Sequence, residues 1–314
     1  MATPLNVVIL AAGAGTRMKS GRHKVLHELA GKPMLQHVID AARELRPDRL
    51  LVVVGHQADM VIESLQGQDV EFVSQDQQLG TAHAFLQAAP LLEADGGDSL
   101  VLNGDGALLT PATLAALRDS LPTPGMSLLT ARVPDPSGLG RVVKDGAGQV
   151  TRIVEHKDAS AEQRLIDEIV VGTYMLDRNA FELVRSLGSN NAAGEYYITD
   201  LVAAYLAAGM AVATSDTPLD EYGGVNDRRQ LADAERIVLD RLRGKWQLCG
   251  VTMHMPETIY IEDTVELAAD VVLEPGVVLK GKTRVGRGAR IGAHSVLAGA
   301  DVPEGGVVPP LTRL

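Results

Sequence analysis

The C-terminal part of the sequence repeats an aliphatic residue at every sixth position, and few folds accommodate such a period. The repeated residues are Ile261, Leu267, Leu273, Leu279, Val285, Ile291 and Leu297. A six-residue period with Gly and Pro at the turns is typical of a left-handed parallel β-helix, in which each hexapeptide forms one face of a triangular coil. The period therefore predicts a short β-helix of a little more than two coils, and the pattern stops near Asp301.

The N-terminal part is organised differently, because short apolar strands alternate there with amphipathic helical segments. The predicted strands are Val7–Leu10, Leu50–Val54, Val70–Val73, Ser99–Leu102, Ser127–Ala131, Val150–Val154 and Ile169–Leu176. The predicted helices include Met34–Leu45, Thr81–Leu92 and Thr110–Ser120. This alternation predicts an α/β domain with a Rossmann-like, mostly parallel sheet, whose ligands bind outside the carboxyl ends of the strands. We expect the α/β domain over residues 1–226, a linker helix over 227–252 and the β-helix over 253–314.

The loop after the first predicted strand has the features of a phosphate-binding site. Small residues follow Leu10, with glycines at Gly13 and Gly15, and the cations Arg17 and Lys24 come next. Glycines let backbone N–H groups approach an anion closely, and two cations complete a cradle for a polyphosphate. The loop does not fit the Rossmann pattern, which needs a third Gly at position 18. It also lacks the spacing of the Walker pattern.

Composition limits the classes of partner and the compartment. A formal net charge of −11 argues against nucleic acid as the main partner, which calls for clustered Lys and Arg. The single cysteine, Cys249, excludes an internal disulfide and suits a reducing cytoplasm. No stretch approaches the roughly 18 apolar residues of a membrane span, and no basic region precedes the first apolar run. We therefore expect a cytoplasmic protein without a signal peptide.

Three strings in the first part of the sequence resemble the signature of sugar-1-phosphate nucleotidyltransferases. They are Leu10 to Met18, Lys24-Val25-Leu26 and Gly31-Lys32-Pro33-Met34. With them the chain is identified as a member of the bacterial bifunctional UDP-N-acetylglucosamine pyrophosphorylase and glucosamine-1-phosphate N-acetyltransferase family, over its uridyltransferase half. The resemblance implies a nucleotidyltransferase that converts UTP and N-acetylglucosamine 1-phosphate to UDP-N-acetylglucosamine and pyrophosphate. Because the β-helix is short, acetyltransferase activity is not expected, and the coils are expected to support a homo-oligomer, trimeric by analogy.

The implied reaction is an in-line displacement at the α-phosphorus by a phosphate oxygen that is already ionised. Such a reaction depends on positioning and charge neutralisation rather than on a strong general base. The resemblance implies that Arg17 contacts the triphosphate and Lys24 the α-phosphate region. It also implies that Asp105 and Asn226 hold Mg²⁺, and carboxylate and amide oxygens suit this hard ion. The expected catalytic residues are Arg17, Lys24 and Asp105.

The resemblance further implies which residues bind the two substrates. Gln75 would pair with the imide edge of uracil, and Gly140 and Glu155 would contact the sugar. His83 and His156 are expected to orient their neighbours, because no second His or Cys lies at metal-ligand spacing. The full expected binding set is Leu10, Ala11, Ala12, Gly13, Gln75, Gly80, Thr81, Asn103, Gly104, Gly140, Glu155, Val170, Tyr197, Thr199 and Asn226.

Three segments depart from the family's pattern and leave alternatives open. Val170 stands where the family has an Asn that contacts the sugar nucleotide, and Arg22-His23 replaces a Leu-Pro before the lysine. Around Asp105, Asn103 replaces a Tyr and Gly106-Ala107 replaces a Val-Pro. One missing hydrogen bond weakens binding by about 0.5–1.5 kcal/mol. The alternatives are the same chemistry on another sugar 1-phosphate or nucleotide, or a non-catalytic regulatory subunit that binds nucleotide sugar.

Overall fold

A computed structural model describes residues 3–314, and these fall into two compact units. The first unit contains the chain up to Leu26 and Met34–Asn226. The second contains His27–Pro33 and Asp227–Leu314, so a short hairpin from the N-terminal region belongs to it. Within the described residues, every helix is too short or too polar to cross a membrane.

The secondary structure up to residue 216 alternates strands and helices as the sequence predicts. The strands are β1 (Leu5–Leu10), β2 (Glu28–Leu29), β3 (Lys32–Pro33), β4 (Arg49–Val54), β5 (Glu71–Ser74), β6 (Asp98–Asn103), β7 (Gly125–Arg132), β8 (Arg141–Lys144), β9 (Val150–Val154), β10 (Glu168–Leu176) and β11 (Ala211–Asp216). The helices are α1 (Met34–Arg43), α2 (Ala58–Ser64), α3 (Thr81–Leu86), α4 (Ala89–Leu92), α5 (Pro111–Asp119), α6 (Ala180–Arg185) and α7 (Leu201–Ala207). The predicted helix Thr81–Leu92 is therefore two helices, and β2, β3, β8 and β11 were not predicted.

The first unit is built on one nine-stranded sheet in the order β11-β7-β10-β6-β1-β4-β5, with β8 and β9 extending from β10. The pairs β4-β5, β1-β4, β1-β6 and β7-β11 are parallel, whereas β10 runs antiparallel to β6 and β7. The mostly parallel sheet is thereby confirmed. Its strand β1 is buried on both faces, as expected of a parallel strand covered by helices.

Side chains alternate between the two faces of the sheet and fill two separate cores. Val8 packs with Phe85 of α3 in the core that also contains residues of α6 and α7. Val7 packs on the opposite face, in the core that contains Leu35 of α1 and Leu114 of α5. Successive side chains of β1 therefore lie in different cores, as the two-residue alternation of a strand requires.

The second unit consists of a long helix and stacked coils. The helix α8 (Arg228–Leu248) begins at Asp227, whose side chain accepts a hydrogen bond from the N–H of Gln230 at 2.9 Å. The coil strands are β12 (Thr252–Met253), β13 (Tyr260–Ile261), β14 (Glu266–Leu267), β15 (Val272–Leu273), β16 (Val278–Lys280), β17 (Arg284–Val285), β18 (Arg290–Ile291), β19 (Val296–Ala298), β20 (Asp301–Val302) and β21 (Val307–Val308). They form three parallel sheets, β12-β15-β18-β21, β13-β16-β19 and β14-β17-β20.

The pairing register confirms the β-helix and corrects its predicted number of coils. Tyr260 pairs with Val278, so one coil takes three hexapeptides. Beyond position 298 the register shortens by one residue, because Arg284 pairs with Asp301. Val308 is still buried in the same core. The strict six-residue period therefore does stop near Asp301, where one residue is missing at a turn, but the coils continue within the expected range 253–314. With ten strands in three sheets the β-helix has a little more than three coils, so the prediction of a little more than two is wrong.

Candidate functional site

A cleft of about 440 Å³ lies at the carboxyl edge of the first unit's sheet. Loops that follow parallel strands supply its walls, with Gly13 after β1, Gln75 after β5 and Asp105 after β6. His23 and Lys24 complete one side. Binding sites of open parallel sheets occur at this edge. The cleft therefore brings together side chains that are far apart in the sequence.

The loop after β1 places one cation in the cleft and another outside it. Gly15 adopts a left-handed backbone with a φ of 57°, and a Cβ there would lie 2.5 Å from Cβ of Lys24. A glycine at this position thus lets the stem of Lys24 pack against the loop. Arg17 is exposed on the turn Thr16–Met18 and is not among the residues that line the cleft.

Lys24 joins the two residues that the sequence predicts as metal ligands. Its Nζ donates to Asp105 Oδ2 at 2.5 Å and to Asn226 Oδ1 at 3.2 Å. Asp105 is only 9% exposed, and a Cβ at Gly224 would lie 2.8 Å from its carboxylate oxygen Oδ1. The backbone of the Gly224-Val225-Asn226 string therefore lies directly against the Asp105 carboxylate.

These contacts test whether the residues fit a magnesium ion. The Asp105 carboxylate and the Asn226 amide oxygen converge on one cationic group, the ammonium of Lys24. Two hard oxygen donors, with other positions left to phosphates and water, match the preference of Mg²⁺. Within residues 3–314, no group of three or more His, Cys, Asp or Glu residues forms an alternative metal site. The donor set fits the ion.

A bulge in β10 shapes the wall of the cleft beside Asn103. The pairing of β10 with β7 shifts register between Val170 and Tyr174. Gly172, with a φ of 84°, lies in this interval, and a Cβ there would be 2.5 Å from Nδ2 of Asn103. The N–H of Gly104 donates to the carbonyl of Leu10 at 2.9 Å. The bulge and this bond hold the turn after β6 beside the loop after β1.

The loop that carries the expected base-binding residues is fixed by backbone contacts. The N–H of Tyr196 donates to the carbonyl of Leu79 at 2.8 Å, and the N–H of Ala82 donates to the carbonyl of Tyr196 at 2.9 Å. Gly80 lies between them with a φ of 115°, and a Cβ there would be 2.4 Å from the Tyr196 carbonyl oxygen. Only glycine fits this conformation and this contact. Thr81 adds a further tie, since its hydroxyl oxygen accepts from the N–H of Ile198 at 3.0 Å.

A second cavity of about 640 Å³ contains part of the expected sugar-binding set. Glu155 and Tyr197 line it together with Asp158 and Asp200. Burial raises the pKa of Glu155 above its ordinary value, the hydroxyl of Thr199 (3.2 Å from Oε1) opposes this effect, and the charges of Asp200 and Asp158 raise the pKa further. The ionised form of the Glu155 carboxyl group is therefore less favourable here than in water.

Val170 is a wall residue near this cavity rather than a polar contact. Its side chain is buried, and a Cβ at Gly140 would lie 2.9 Å from its Cγ1. Its N–H donates to the carbonyl of Gly140 at 3.0 Å. Close by, His156 Nδ1 lies 3.3 Å from Nη2 of Arg141, a guanidinium that is only 1% exposed. This contact fits the expectation that His156 orients a neighbour.

The structure divides the expected site residues into three groups. Those that line the cleft are Leu10, Ala11, Ala12, Gly13, Lys24, Gln75, Gly80, Thr81, Asn103 and Asp105, with Gly104 and Asn226 in contact with them. Those near the second cavity are Gly140, Glu155, Val170, Tyr197 and Thr199. Arg17 is in neither group. Sequence reasoning treated His23 only as a departure from a pattern, yet it is buried in the cleft beside Lys24. Its position next to Lys24 was the available signal.

Comparison with known proteins identifies a matching family and several relatives of the chain. The family described as MobA-like NTP transferase domain matches residues 7–167. Curated proteins named "Bifunctional protein GlmU" are similar over most of the chain. One from Thermus thermophilus is 51% identical over 291 residues, which cover 92% of this chain and 64% of that protein. One from Geobacillus sp. is 45% identical, with 92% and 63% covered, and one from Paraburkholderia phymatum is 43% identical, with 99% and 72% covered.

The chain matches only part of the length of these relatives. The chain spans less than two thirds of the length of the Thermus and Geobacillus proteins. The likeness reaches across both units, because 291 matched residues exceed the size of the first unit alone.

Proposed function

This chain belongs to the MobA-like NTP transferase family and to the family of the bifunctional GlmU proteins, and from this premise we propose that it is a sugar-1-phosphate nucleotidyltransferase. Its proposed substrates are UTP and N-acetylglucosamine 1-phosphate, and its products are UDP-N-acetylglucosamine and pyrophosphate. The observation that supports the proposal most directly is the convergence of Lys24, Asp105 and Asn226 at the edge of the cleft. These residues supply the cation and the metal-binding oxygens that the chemistry requires.

The proposed reaction moves no proton. A phosphate oxygen of the sugar phosphate attacks the α-phosphorus of the nucleotide, and the bond from that phosphorus to the oxygen bridging to the β-phosphate breaks. Pyrophosphate leaves with the bonding electron pair. The chain's task is to hold two anions close together and to neutralise the charge of the transition state.

Each part of the cleft has a role in this proposal. The exposed Gly13 loop offers backbone N–H groups to the phosphates, and Lys24 supplies a fixed positive charge beside them. Asp105 and Asn226 would hold Mg²⁺, which when bound neutralises phosphate charge as a Lewis acid. Arg17 is exposed on the same loop, so its proposed contact with the triphosphate requires movement of its side chain toward the cleft.

A substrate panel tests the proposal. Pyrophosphate release is measured with UTP, CTP, ATP and GTP against N-acetylglucosamine 1-phosphate, glucosamine 1-phosphate and glucose 1-phosphate. We expect UTP with the N-acetylated sugar to react fastest. If glucose 1-phosphate reacted faster, the apolar wall at Val170 would mark a different sugar specificity. UTP binding without any turnover would favour the non-catalytic alternative.

The variant Asp105→Ala tests the metal site in the same assay. We expect a loss of at least about 100-fold in Mg²⁺-dependent turnover, since a bound metal ion contributes several kcal/mol to catalysis. Asp119→Ala, which removes an exposed carboxylate at the end of α5, is the matched control and should retain activity. Near-normal activity of Asp105→Ala would refute the assignment.

Two further properties are also proposals. We propose a homotrimer, as the sequence analogy implies, and light scattering should then give about 100 kDa, three times the chain mass of 33.3 kDa.

We expected no acetyltransferase activity from the short β-helix. The relatives are named bifunctional, which gives this expectation no support. An acetyl-transfer assay on glucosamine 1-phosphate decides it.

A further inference from the structure

The amide of Gln75 is held from two sides in the wall of the cleft. Gln75 is only 3% exposed. Its Nε2 lies 3.0 Å from the carbonyl oxygen of Gly80 and 3.0 Å from Nδ1 of His83. Within residues 3–314, no hydrogen bond is made to its other amide atom, Oε1, while Gln75 lines the cleft. Among the described residues, Nε2 of Gln75 thus has two hydrogen-bond partners, and Oε1 has none.

The chemistry of the partners decides which end of the amide is which. A backbone carbonyl can only accept, so the group that faces Gly80 must be the NH₂ of Gln75. The second hydrogen of this NH₂ points to His83 Nδ1, which accepts it only when that nitrogen carries no proton. His83 is therefore the tautomer protonated at Nε2, as assigned from its hydrogen-bond partners. Both hydrogens of Gln75 are engaged, and Oε1 is the atom left for a ligand.

Gln87 competes for the same imidazole, and burial decides the competition. Nε2 of Gln87 lies 3.2 Å from Nε2 of His83 and donates to the carbonyl oxygen of His83 at 2.9 Å. A neutral imidazole can accept at only one nitrogen. Gln75 is buried, and its contact is shorter, whereas Gln87 is partly exposed and can turn a hydrogen to water. An unmet donor is more costly when it is buried, so the acceptor nitrogen belongs to Gln75.

We propose that His83 is a positioning residue that fixes the amide of Gln75 with its oxygen toward the cleft. The inference rests on the proposed function, because Gln75 is the residue expected to contact the nucleobase in that reaction. An oxygen fixed in this way accepts from a ring N–H, such as N3–H of uracil, and opposes the unprotonated N3 of cytosine. Gln75 then reads the base through its oxygen alone, and His83 acts together with the carbonyl of Gly80 to keep the opposite orientation of the amide from forming.

Two variants of His83 separate positioning from packing. His83→Leu removes the acceptor in a place where Leu79, Ala82 and Leu86 already provide apolar surroundings. We expect the ratio of kcat/KM for UTP over CTP to fall about fivefold, mainly through a higher KM for UTP, because one hydrogen bond contributes about 1 kcal/mol. His83→Asn keeps an acceptor oxygen close to the position of Nδ1 and should stay within about twofold of the wild type. An unchanged ratio in His83→Leu, or an equal loss in both variants, would overturn the proposal.

The tautomer itself can be measured in the unmodified protein. With histidine labelled by ¹⁵N, long-range proton–nitrogen NMR spectra show which ring nitrogen carries the proton. We expect Nε2–H for His83, and Nδ1–H would contradict the proposal without any variant having to fold. The proposed function fails separately, by absence of pyrophosphate release in the wild-type substrate panel. A protein that reacts with UTP but shows Nδ1–H refutes only this inference.

Discussion

At the scale of single residues, two glycines determine where the charged side chains of the cleft are placed. Gly15 permits the stem of Lys24 to pack against the loop after β1, and Gly224 lies against the carboxylate of Asp105. Both contacts are closer than an added Cβ would allow. The positions of the reactive groups thus depend on residues that have no side chain and carry no charge.

Substitution of Gly224 should separate activity from stability. Its backbone is not in the left-handed region, and the atoms that a new Cβ would meet are the carboxylate atoms of Asp105, at 2.8–2.9 Å. We expect Gly224→Ala to lower kcat/KM about tenfold or more by displacing this carboxylate, while the free energy of unfolding changes by about 1 kcal/mol or less. Gly146→Ala, where a Cβ meets no atom within 4 Å, is the control and should leave both unchanged. Unaltered kinetics in Gly224→Ala would show that Asp105 does not need its present position.

Glu155 should make stability depend on pH. Burial, the largest influence, raises its pKa above the ordinary value of 4.5, so the folded state binds this proton more tightly than the unfolded state does. Stability is then greatest below the unfolded pKa and falls as the pH rises through the folded pKa. Glu155→Gln cannot ionise and avoids this loss. We expect its gain in free energy of unfolding over the wild type to reach about 1 kcal/mol at neutral pH.

The measurement for Glu155→Gln is thermal or urea unfolding of both proteins in a series from about pH 4, below the ordinary pKa of 4.5, to about pH 8. The advantage of the variant should grow as the pH rises above the unfolded pKa and level off above the folded pKa. An advantage that is the same at both ends of the series would mean that Glu155 ionises in the folded state as it does in the unfolded chain.

At the scale of elements, the start of α3 is tied to the segment before α7 by backbone hydrogen bonds on either side of Gly80. A Cβ at this position would meet the backbone of Tyr196 at 2.4 Å, and backbone atoms cannot move aside as a side chain can. The loop after β5 and the segment around Tyr196 therefore form one structural piece, although more than a hundred residues of chain lie between them.

Gly80→Ala should consequently be costly for this piece. We expect a loss of about 3 kcal/mol or more in stability, from backbone strain together with the clash, and a weaker binding of UTP. Gly67→Ala is a matched control, since Gly67 also has a positive φ, 78°, but a Cβ there meets no atom within 4 Å. It should lose only about 1 kcal/mol. Unfolding and calorimetric titration with UTP provide the comparison, and equal losses in both variants would contradict the role of the Tyr196 contact.

The elements also show what the sequence could and could not predict. Fully buried strands such as β1 and β6 were predicted because their apolar runs record burial on both faces. The strand β8 was missed because it is short and begins and ends with a charged residue, Arg141 and Lys144. The reversed direction and the bulge of β10 leave no mark on its apolar pattern, so neither the turn at Gly172 nor its contact with Asn103 could be read in advance.

The site was predictable to a similar extent. Asp105 could be placed at a strand end from the apolar run before it, but its contact with Lys24 joins positions 81 residues apart. The orientation of the Gln75 amide depends on two partners in three dimensions, Gly80 and His83, and no spacing in the sequence indicates it. Sequence patterns thus identified the residue types, and tertiary packing alone determined their geometry.

At the scale of the whole molecule, the two units have separate cores, and the chain's one tryptophan reports on one of them. Trp246 is packed against the core of the β-helix. Its fluorescence should therefore follow the unfolding of the second unit, whereas nucleotide binding reports on the first.

Removal of a core leucine from the coils should be visible in that signal. Leu279 is fully buried, so Leu279→Ala should lower the free energy of unfolding followed by Trp246 by about 2–5 kcal/mol. Val278→Ala, at the adjacent, partly exposed position of β16, is the control and should cost clearly less. UTP binding at low temperature serves to confirm that the first unit is folded in both variants. Equal shifts of the two fluorescence transitions would mean that the buried face does not carry the stability of the coils.

The register of the β-helix also bears on how such a chain can change its length over generations. A strand finds its partner one coil earlier, so an insertion or deletion of a whole coil leaves every remaining pair intact, whereas a change of a few residues within a strand would misalign all that follow. The turn before β20 shows the one exception, since a single residue is lost there and the next pairs still form. Evolution can therefore lengthen or shorten this part of a gene in steps of one coil, and smaller adjustments are confined to the corners.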